Sequence, residues 1–431
     1  MNYWRKFFIT NGTSKEGLLR YAQNTGWVFL GKFSNMFVNF IATLYIARTL
    51  GPTNYGELSY GLSFIALFSF IASLGIDSVL YREIIKYPEQ KNKLLGTALG
   101  IKFVASFFTS LLTIGVAWVF SPPDVSFLII SILSATYVLH IFGIISYEFG
   151  AVVNNKPVSF LSFFVTVVVN LLKVSSIFFD KGVLYLAIII VIETLLYAIG
   201  YIYIRHRTFG SLRQWQFDTT VAKRLLLDSW PFILTSAFAV VYARIDQVML
   251  KNLINATEVG IYDAAVRLTE LWYFIPSIIV GTLFPAIINA KKTGHSLYRK
   301  RILALFALLG LLSGLIALTV SILAGPIVKL VFGNGFILTI PVLQIYVWAL
   351  IPISLGIVVQ HYLLTENARM YLFLMSLAGV IFNVVGNFLL IPKYQAYGAA
   401  IATLISSCVV LFFVGCLYLL GKLLRYNVKN T

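Results

Sequence analysis

Two neighbouring stretches decide how this chain folds: WPFILTSAFAVVYARIDQVMLKNL, from Trp230 to Leu253, and GIYDAAVRLTELWYFIPSIIVGTLFPAIINA, from Gly260 to Ala290. Each is apolar enough, over the roughly 20 residues a helix needs, to cross a hydrocarbon core. Yet Arg244 and Asp246 sit inside the first, and Asp263, Arg267 and Glu270 inside the second. A charge at the bilayer centre costs about 2.5–3.5 kcal/mol on insertion scales, so such residues face a partner or a water-filled cavity rather than lipid. The pair reads as the wall of an internal aqueous pathway.

The remaining sequence has the same character. Of 431 residues, 59% are hydrophobic and only 11% charged, which excludes an ordinary soluble domain with about a quarter of its residues charged. The alternating ten-residue segments of a membrane barrel are not seen. The expected fold class is all-α, a polytopic membrane protein with about 12 transmembrane helices. The expected spans are 22–46, 57–81, 95–119, 125–149, 158–179, 183–204, 230–253, 260–290, 302–324, 340–363, 371–391 and 396–421.

The formal charge of +17 would suit nucleic acid if the cations were spread evenly, but they cluster in alternate loops. Of 33 Lys and Arg, about 23 fall on one side, five lie in the opposite loops, Lys181 among them, and five fall inside spans. Cytoplasmic loops carry the excess of Lys and Arg, so both termini are expected in the cytoplasm. Residues 1–20 form a cytoplasmic N-terminal segment, in which Trp4, Phe7 and Phe8 beside Arg5 and Lys6 suit a membrane surface. No signal-peptide pattern opens the chain.

An internal repeat is visible. Thr53–Asn–Tyr–Gly56 corresponds to Thr257–Glu–Val–Gly260, and Asn170 to Asn383 further on. Two halves of six spans in the same sense imply a pseudo-twofold axis along the membrane normal, with the substrate path between them. The expected organisation is an N-lobe at 21–204, a basic cytoplasmic linker at 205–228, a C-lobe at 229–421 and a cytoplasmic tail at 422–431. Pro231 would begin a span, where its missing N–H matters little. Pro276, Pro285, Pro341 and Pro352 mark tolerated kinks or moving helices.

Four spans carry a polar stripe with a cation. Lys32, Asn35 and Asn39 share one face of the first; Thr166, Asn170 and Lys173 share one face of the fifth. The seventh offers Arg244 with Gln247, and the eighth Asp263, Arg267 and Glu270. Such groups also serve as interhelical glue, and Arg267 is within reach of Asp263 and Glu270 on its own helix. Lys32 and Lys173 have no acid at helical spacing in their own spans, so water or an anionic ligand is expected to meet them unless another helix supplies a partner. Asp246 either neutralises Arg244 or binds a coupling cation.

Elsewhere, Lys102 is close enough to a span end to snorkel to the interface. Asp77, Arg82 and Glu83 suit an interfacial salt-bridge network. Glu148 and Glu193 stand as lone carboxylates, candidates for a proton relay. His140 and His361 have no second ligand spaced for a metal, and Cys408 and Cys416 suit packing. No phosphate-binding glycine loop and no HExxH occurs, and the loops are too short for a catalytic domain. A transporter is expected rather than an enzyme, with no cofactor beyond H+ or Na+ coupling.

The segment Arg48–Thr–Leu–Gly–Pro–Thr–Asn–Tyr–Gly56, followed by Ala72–Ser–Leu–Gly–Ile–Asp–Ser–Val–Leu–Tyr–Arg–Glu83, resembles bacterial Wzx-type polysaccharide repeat-unit flippases of O-antigen and capsule. These belong to the multidrug/oligosaccharidyl-lipid/polysaccharide exporter superfamily. Arg244–Ile–Asp–Gln–Val–Met, Val259–Gly–Ile–Tyr–Asp–Ala–Ala–Val–Arg–Leu–Thr–Glu270 and Asn387–Phe–Leu–Leu–Ile–Pro–Lys–Tyr394 are similar to the same family's second half. Its usual Lys–Tyr/Phe–Gly–Ala–Leu–Gly pattern reads Lys393–Tyr–Gln–Ala–Tyr–Gly398 here, which bears on the local turn at Gln395.

The resemblance implies a two-lobed, V-shaped, MATE-like transporter in the bacterial inner membrane. It implies translocation of undecaprenyl-pyrophosphate-linked oligosaccharide to the outer leaflet by alternating access. The substrate-binding candidates are Lys32, Asn35, Asn39, Asn170, Lys173, Arg244 and Arg267; the ion-coupling candidates are Asp246, Asp263 and Glu270. Expected partners are the lipid-linked oligosaccharide, membrane lipid, a polysaccharide polymerase and a chain-length regulator, and no nucleic acid. The alternatives are an ion-coupled small-molecule exporter of the multidrug type, a lipid-II-type flippase and a membrane scaffold.

Overall fold

The computed structural model describes residues 15–120, 124–178, 182–366 and 368–428. The surface segment expected around Trp4 and Phe8 and the loop residue Lys181 lie outside them, as does the side chain of Cys416. Among the described residues all regular structure is helical: α1 (Lys15–Ser73), α2 (Ile76–Lys86), α3 (Lys91–Phe120), α4 (Val125–His140), α5 (Ile145–Ala151), α6 (Lys156–Phe178) and α7 (Val183–Phe209). These are followed by α8 (Thr219–Leu253), α9 (Ala256–Glu270), α10 (Phe274–Thr293), α11 (His295–Ile322), α12 (Ala324–Val331), α13 (Thr339–Tyr346), α14 (Leu350–Thr365) and α15 (Arg369–Val428).

Among the described residues, ten continuous stretches are long and apolar enough to cross a membrane. Two of them, Gln23–Lys86 with 64 residues and Met370–Phe412 with 43, are longer than one crossing needs at about 1.5 Å per residue. The first is interrupted at Gly51 (φ 71°) and again at Leu74 and Gly75 (φ 47° and 63°), the second at Gln395 (φ 53°). Each stretch is thus divided within its length, so the ten stretches stand against about twelve expected spans. Gly51 takes the positive φ without a Cβ penalty, and Pro52 opens the next helix with its φ already set. Gln395 has no such licence. It holds the position where the resembling pattern has glycine, and its backbone is strained.

Two further spans contain short 3₁₀ turns, Leu271–Tyr273 and Val347–Ala349. Each turn lies three to five residues before a proline, Pro276 or Pro352. Proline cannot donate to the carbonyl four residues back, Trp272 or Trp348, and its ring crowds that carbonyl, so the helix tightens there. Pro231 differs from expectation. It lies inside α8, because the end of the basic linker is helical from Thr219 and runs on into the seventh span.

The contacts divide the chain into two compact units, one made of Met1–Thr49 with Phe64–Ala237 and the other of Leu50–Ser63 with Phe238–Thr431. In the first, α4 packs on α3 and α7, and α6 packs on α7. Its core cluster joins Ile76, Leu80 and Ile84 of α2 to Leu94 and Leu95 of α3 and Leu225 of α8. In the second, α9 packs on α13, α11 on α10 and α14, and α15 on α13 and α14. Val280, Phe284, Leu305, Leu309 and Val358 form its cluster.

Candidate functional site: buried polar clusters within apolar helices

In the second unit the opening of the second span, residues 50–63, lies against α9. Glycine makes this possible. A Cβ on Gly56 would meet the Ala256 carbonyl oxygen at 1.8 Å, and one on Gly260 would meet that of Pro52 at 2.0 Å. The close approach brings three polar side chains of the segment onto α8 and α9. Tyr55 Oη donates to Asp263 Oδ2 at 2.5 Å, Ser59 Oγ donates to the same oxygen at 3.0 Å, and Ser63 donates to Gln247. Gln247 Nε2 donates to Asp263 Oδ1 at 2.8 Å, and Arg267 Nε to Oδ2 at 3.3 Å. Fully buried, Asp263 thus has four donors, and one is a cation on its own helix. Buried charge is tolerated when it is paired and hydrogen-bonded in this way.

Asp246, which directly precedes Gln247 on α8, is surrounded differently. It is 4% exposed. Asn387 Nδ2 donates to Oδ1 at 2.5 Å and Thr403 Oγ1 to Oδ2 at 2.8 Å, both from α15, while Tyr262 donates from α9. Asn387 also donates to Asn383 Oδ1 at 3.1 Å, and its own Oδ1 is buried without a hydrogen-bond partner. All of these donors are neutral. Among the described residues no Lys or Arg lies within 4.0 Å of Asp246, so of the two alternatives the ion pair with Arg244 is not formed. The cluster gathers a carboxylate, two hydroxyls and two amide carbonyls, the oxygen set that suits a hard monovalent or divalent cation or a shared proton. No group of three or more His, Cys, Asp or Glu occurs among the described residues.

The first unit carries the corresponding seam without the acid. Asn170 Nδ2 donates to Asn39 Oδ1 at 2.8 Å, and Asn35 Nδ2 to Ser162 Oγ at 2.5 Å. Tyr197 of α7 meets Ser162 at 3.2 Å and Thr166 at 3.1 Å. These six residues thus join α1, α6 and α7, and Asn35 Oδ1 is buried without a hydrogen-bond partner. Asn170 and Asn383 are the pair matched by the internal repeat. Asn39 accepts from Asn170 in one unit, whereas in the other it is an aspartate that accepts from the Asn383–Asn387 helix.

The cations separate into two classes. Lys173 is held by Glu193 of α7 at 2.7 Å, so another helix does supply its partner and the expected free lysine is corrected. Glu193 is accordingly not a lone carboxylate, and neither is Glu148, which Lys91 and Arg205 engage at 3.0 and 3.1 Å. Arg267 pairs with Asp263 only; Glu270, half-buried, is in no ion pair among the described residues. Lys32, exposed on α1, and Arg244, half-buried on α8, have no carboxylate within 4.0 Å among those residues.

Lys102 does not snorkel. Its ammonium binds Asp77 at 2.6 Å and its side chain is 10% exposed. The pair opens onto a cavity of about 350 Å³ inside the first unit, shared with His140, Tyr137, Tyr147 and Tyr201. Periodicity missed this cavity because its walls come from six different helices and a 3₁₀ turn. The Asn383–Asn387 pair, by contrast, was available at i, i+4 spacing on one helix face.

Comparison with known proteins follows the same line. A family model described as polysaccharide biosynthesis protein matches residues 21–291. The probable flippase AglR of Haloferax volcanii is 29% identical over 172 residues, covering 38% of this chain and 35% of AglR, so the match spans about a third of that relative. The capsular polysaccharide biosynthesis protein CapF of Staphylococcus aureus is 19% identical over 394 residues, 90% of this chain and 97% of CapF. Among solved structures, the lipid II flippase MurJ in an inward closed conformation gives a TM-score of 0.69 at 13% identity, covering 91% of this chain and 86% of MurJ. An inward-facing multidrug resistance MATE transporter of the MOP superfamily gives 0.68 at 12% identity, covering 92% and 96%. At such identities the structural likeness concerns the fold alone. The family model covers well over half of the residues: the chain belongs to the polysaccharide biosynthesis protein family, on a MATE-like all-helical fold.

Proposed function

We propose that the chain is a flippase for lipid-linked oligosaccharide, moving undecaprenyl-pyrophosphate-linked repeat units from the cytoplasmic to the outer leaflet by alternating access. Family membership carries the reading. Lys32 and Arg244 support it, being cations on apolar helices with no carboxylate partner among the described residues, as an anionic pyrophosphate head requires. Lys173 and Arg267, already paired, would act by exchanging their carboxylate for the substrate. Asn35, Asn39 and Asn170 would add hydrogen bonds to sugar.

In the same proposal Asp246 binds the coupling ion, H+ or Na+, with Thr403, Asn383 and Asn387 supplying neutral oxygens. Asp263, whose four donors satisfy it, and Glu270 fit that role less well. The protein would lie in the bacterial inner membrane with both termini in the cytoplasm, beside a polysaccharide polymerase and chain-length regulator. A small-molecule exporter remains the second reading, favoured by the buried carboxylate of Asp246.

The test is genetic and chemical. A deletion strain should accumulate lipid-linked repeat units facing the cytoplasm, and wild type should relieve this while Lys32→Ala and Arg244→Ala do not. Full restoration of surface polysaccharide by both variants would remove the cationic path from the proposal.

A further inference from the structure

The segment between α7 and α8, with the helix ends beside it, is basic in sequence, which suggests an anion site, but Arg205 of α7, Lys93 of α3 and Arg224 of α8 have partners within the first unit. Arg205 is fully buried, donates to Glu148 at 3.1 Å and to the Gly210 carbonyl, and stacks on Trp215 with 4.8 Å to the ring centre. Lys93 meets Asp218 at 3.5 Å. Arg224 meets Glu83 at 3.4 Å and lies over Tyr87. An incoming anion would have to break the pairs of Arg205 and Lys93, and at Arg224, whose Nε and Nη2 are buried without a hydrogen-bond partner, it would compete with Glu83.

Between this segment and the start of α3 lies a cleft of about 590 Å³ whose walls include Gln90, Asn92, Gln214, Gln216 and Thr220. The charged groups on its rim, Glu89 and Asp218 against Lys93 and Arg224, balance in sign. Its shape is fixed by the backbone. Gln216 N donates to the Asn92 carbonyl at 3.3 Å and Asp218 N to Thr97 Oγ1 at 3.0 Å. At Gly96 the two chains approach so closely that a Cβ would meet Gln216 N at 2.6 Å.

Four carboxamides give a surface that both donates and accepts at many points. Its lining is as apolar as it is polar, which suits the apolar and hydroxylated faces of a sugar ring, and its charges balance, leaving no net charge for a phosphate. Vicinal hydroxyls match it. We propose that this cleft is a saccharide-binding site, distinct from the buried clusters in the spans. Its ligand is the sugar of a lipid-linked oligosaccharide or a free oligosaccharide, and it rests on the flippase reading only for the choice of probe.

Hydrogen–deuterium exchange of the full chain in lipid nanodiscs tests it. The probes are repeat-unit oligosaccharide released by mild acid from the host's lipid-linked pool, the same unit still lipid-linked, and inorganic pyrophosphate. Saccharide in either form is expected to slow exchange in residues 88–93 and 212–218, the form that acts naming the source, while pyrophosphate does not. Gln90→Ala with Gln216→Ala should raise the saccharide concentration required by about tenfold, the loss expected for removed hydrogen bonds. Slowing by pyrophosphate without released saccharide, or by no probe, overturns the site. The flippase reading fails separately, if the deletion strain accumulates no lipid-linked units.

Discussion

Thr53 and Thr257, 204 residues apart, touch hydroxyl to hydroxyl at 2.9 Å. The contact is self-complementary: Gly56 closes on the Ala256 carbonyl and Gly260 on that of Pro52, at the same offset. Equivalent residues meeting in exchanged roles are the signature of a twofold axis, here between two segments of one chain. Ser59 donates to Asp263 at the same offset, so the symmetry ends where one copy carries a hydroxyl and the other a carboxylate.

Gly56→Ala or Gly260→Ala should each destabilise the protein by at least about 2 kcal/mol, since overpacking against backbone cannot be relieved by a rotamer. In an open helix the same change would stabilise by about 1 kcal/mol, so the sign itself is informative. Thermal unfolding in detergent, followed by tryptophan fluorescence, measures it.

Gln395→Gly should raise stability by about 1 kcal/mol, because glycine reaches the observed positive φ without strain. Gln395→Val should lower it. The same unfolding measurement separates the two, and equal midpoints would mean that the break is not strained.

Glu148→Gln should cost about 3 kcal/mol, because it leaves the buried Arg205 guanidinium without its counter-charge. Adding Arg205→Met should recover part of that loss. A double-mutant cycle on denaturation midpoints reads the coupling.

Asp246→Asn keeps a side chain of the same size but removes the charge. Uptake or flipping in proteoliposomes should lose its dependence on the driving ion, with a drop of about tenfold or more for a coupling of ordinary size. Asp263→Asn should instead lower stability, by weakening the Arg267 pair.

Asp218 accepts from the amides of Val221 and Thr220 at the start of α8, and these bonds, with Lys93 nearby, hold its carboxyl below the ordinary aspartate value of 3.8. A depressed native value stabilises above the unfolded one and is lost as pH falls through the native one. Asp218→Asn retains the cap acceptor. The wild-type advantage over it should therefore be constant at neutral pH, begin to fall near pH 3.8 and vanish only below the lower native value.

How much was legible depends on the range of the interaction involved. Apolar length gave the helices, and the motif repeat gave the Thr53–Thr257 correspondence. The glycine absent at residue 395 marked the break. Lys173 looked unpartnered because Glu193 is 20 residues away on another helix. Lys102 looked exposed for the same reason, with Asp77 25 residues before it. Helical spacing tells which side chains share a face, but not which face of which neighbour they meet.

The sequence by itself determined that this chain is an all-helical, multi-pass membrane protein, because stretches of about 20 apolar residues without a barrel's alternation must bond every backbone group inside the segment to cross a hydrocarbon core. Only the tertiary structure decided which charges were paired and that residues 50–63 pack with the C-terminal half. It alone surrounded Asp246 with neutral donors. Those outcomes depend on the rotation and depth of each helix against its neighbours, which packing fixes over distances that no local pattern encodes.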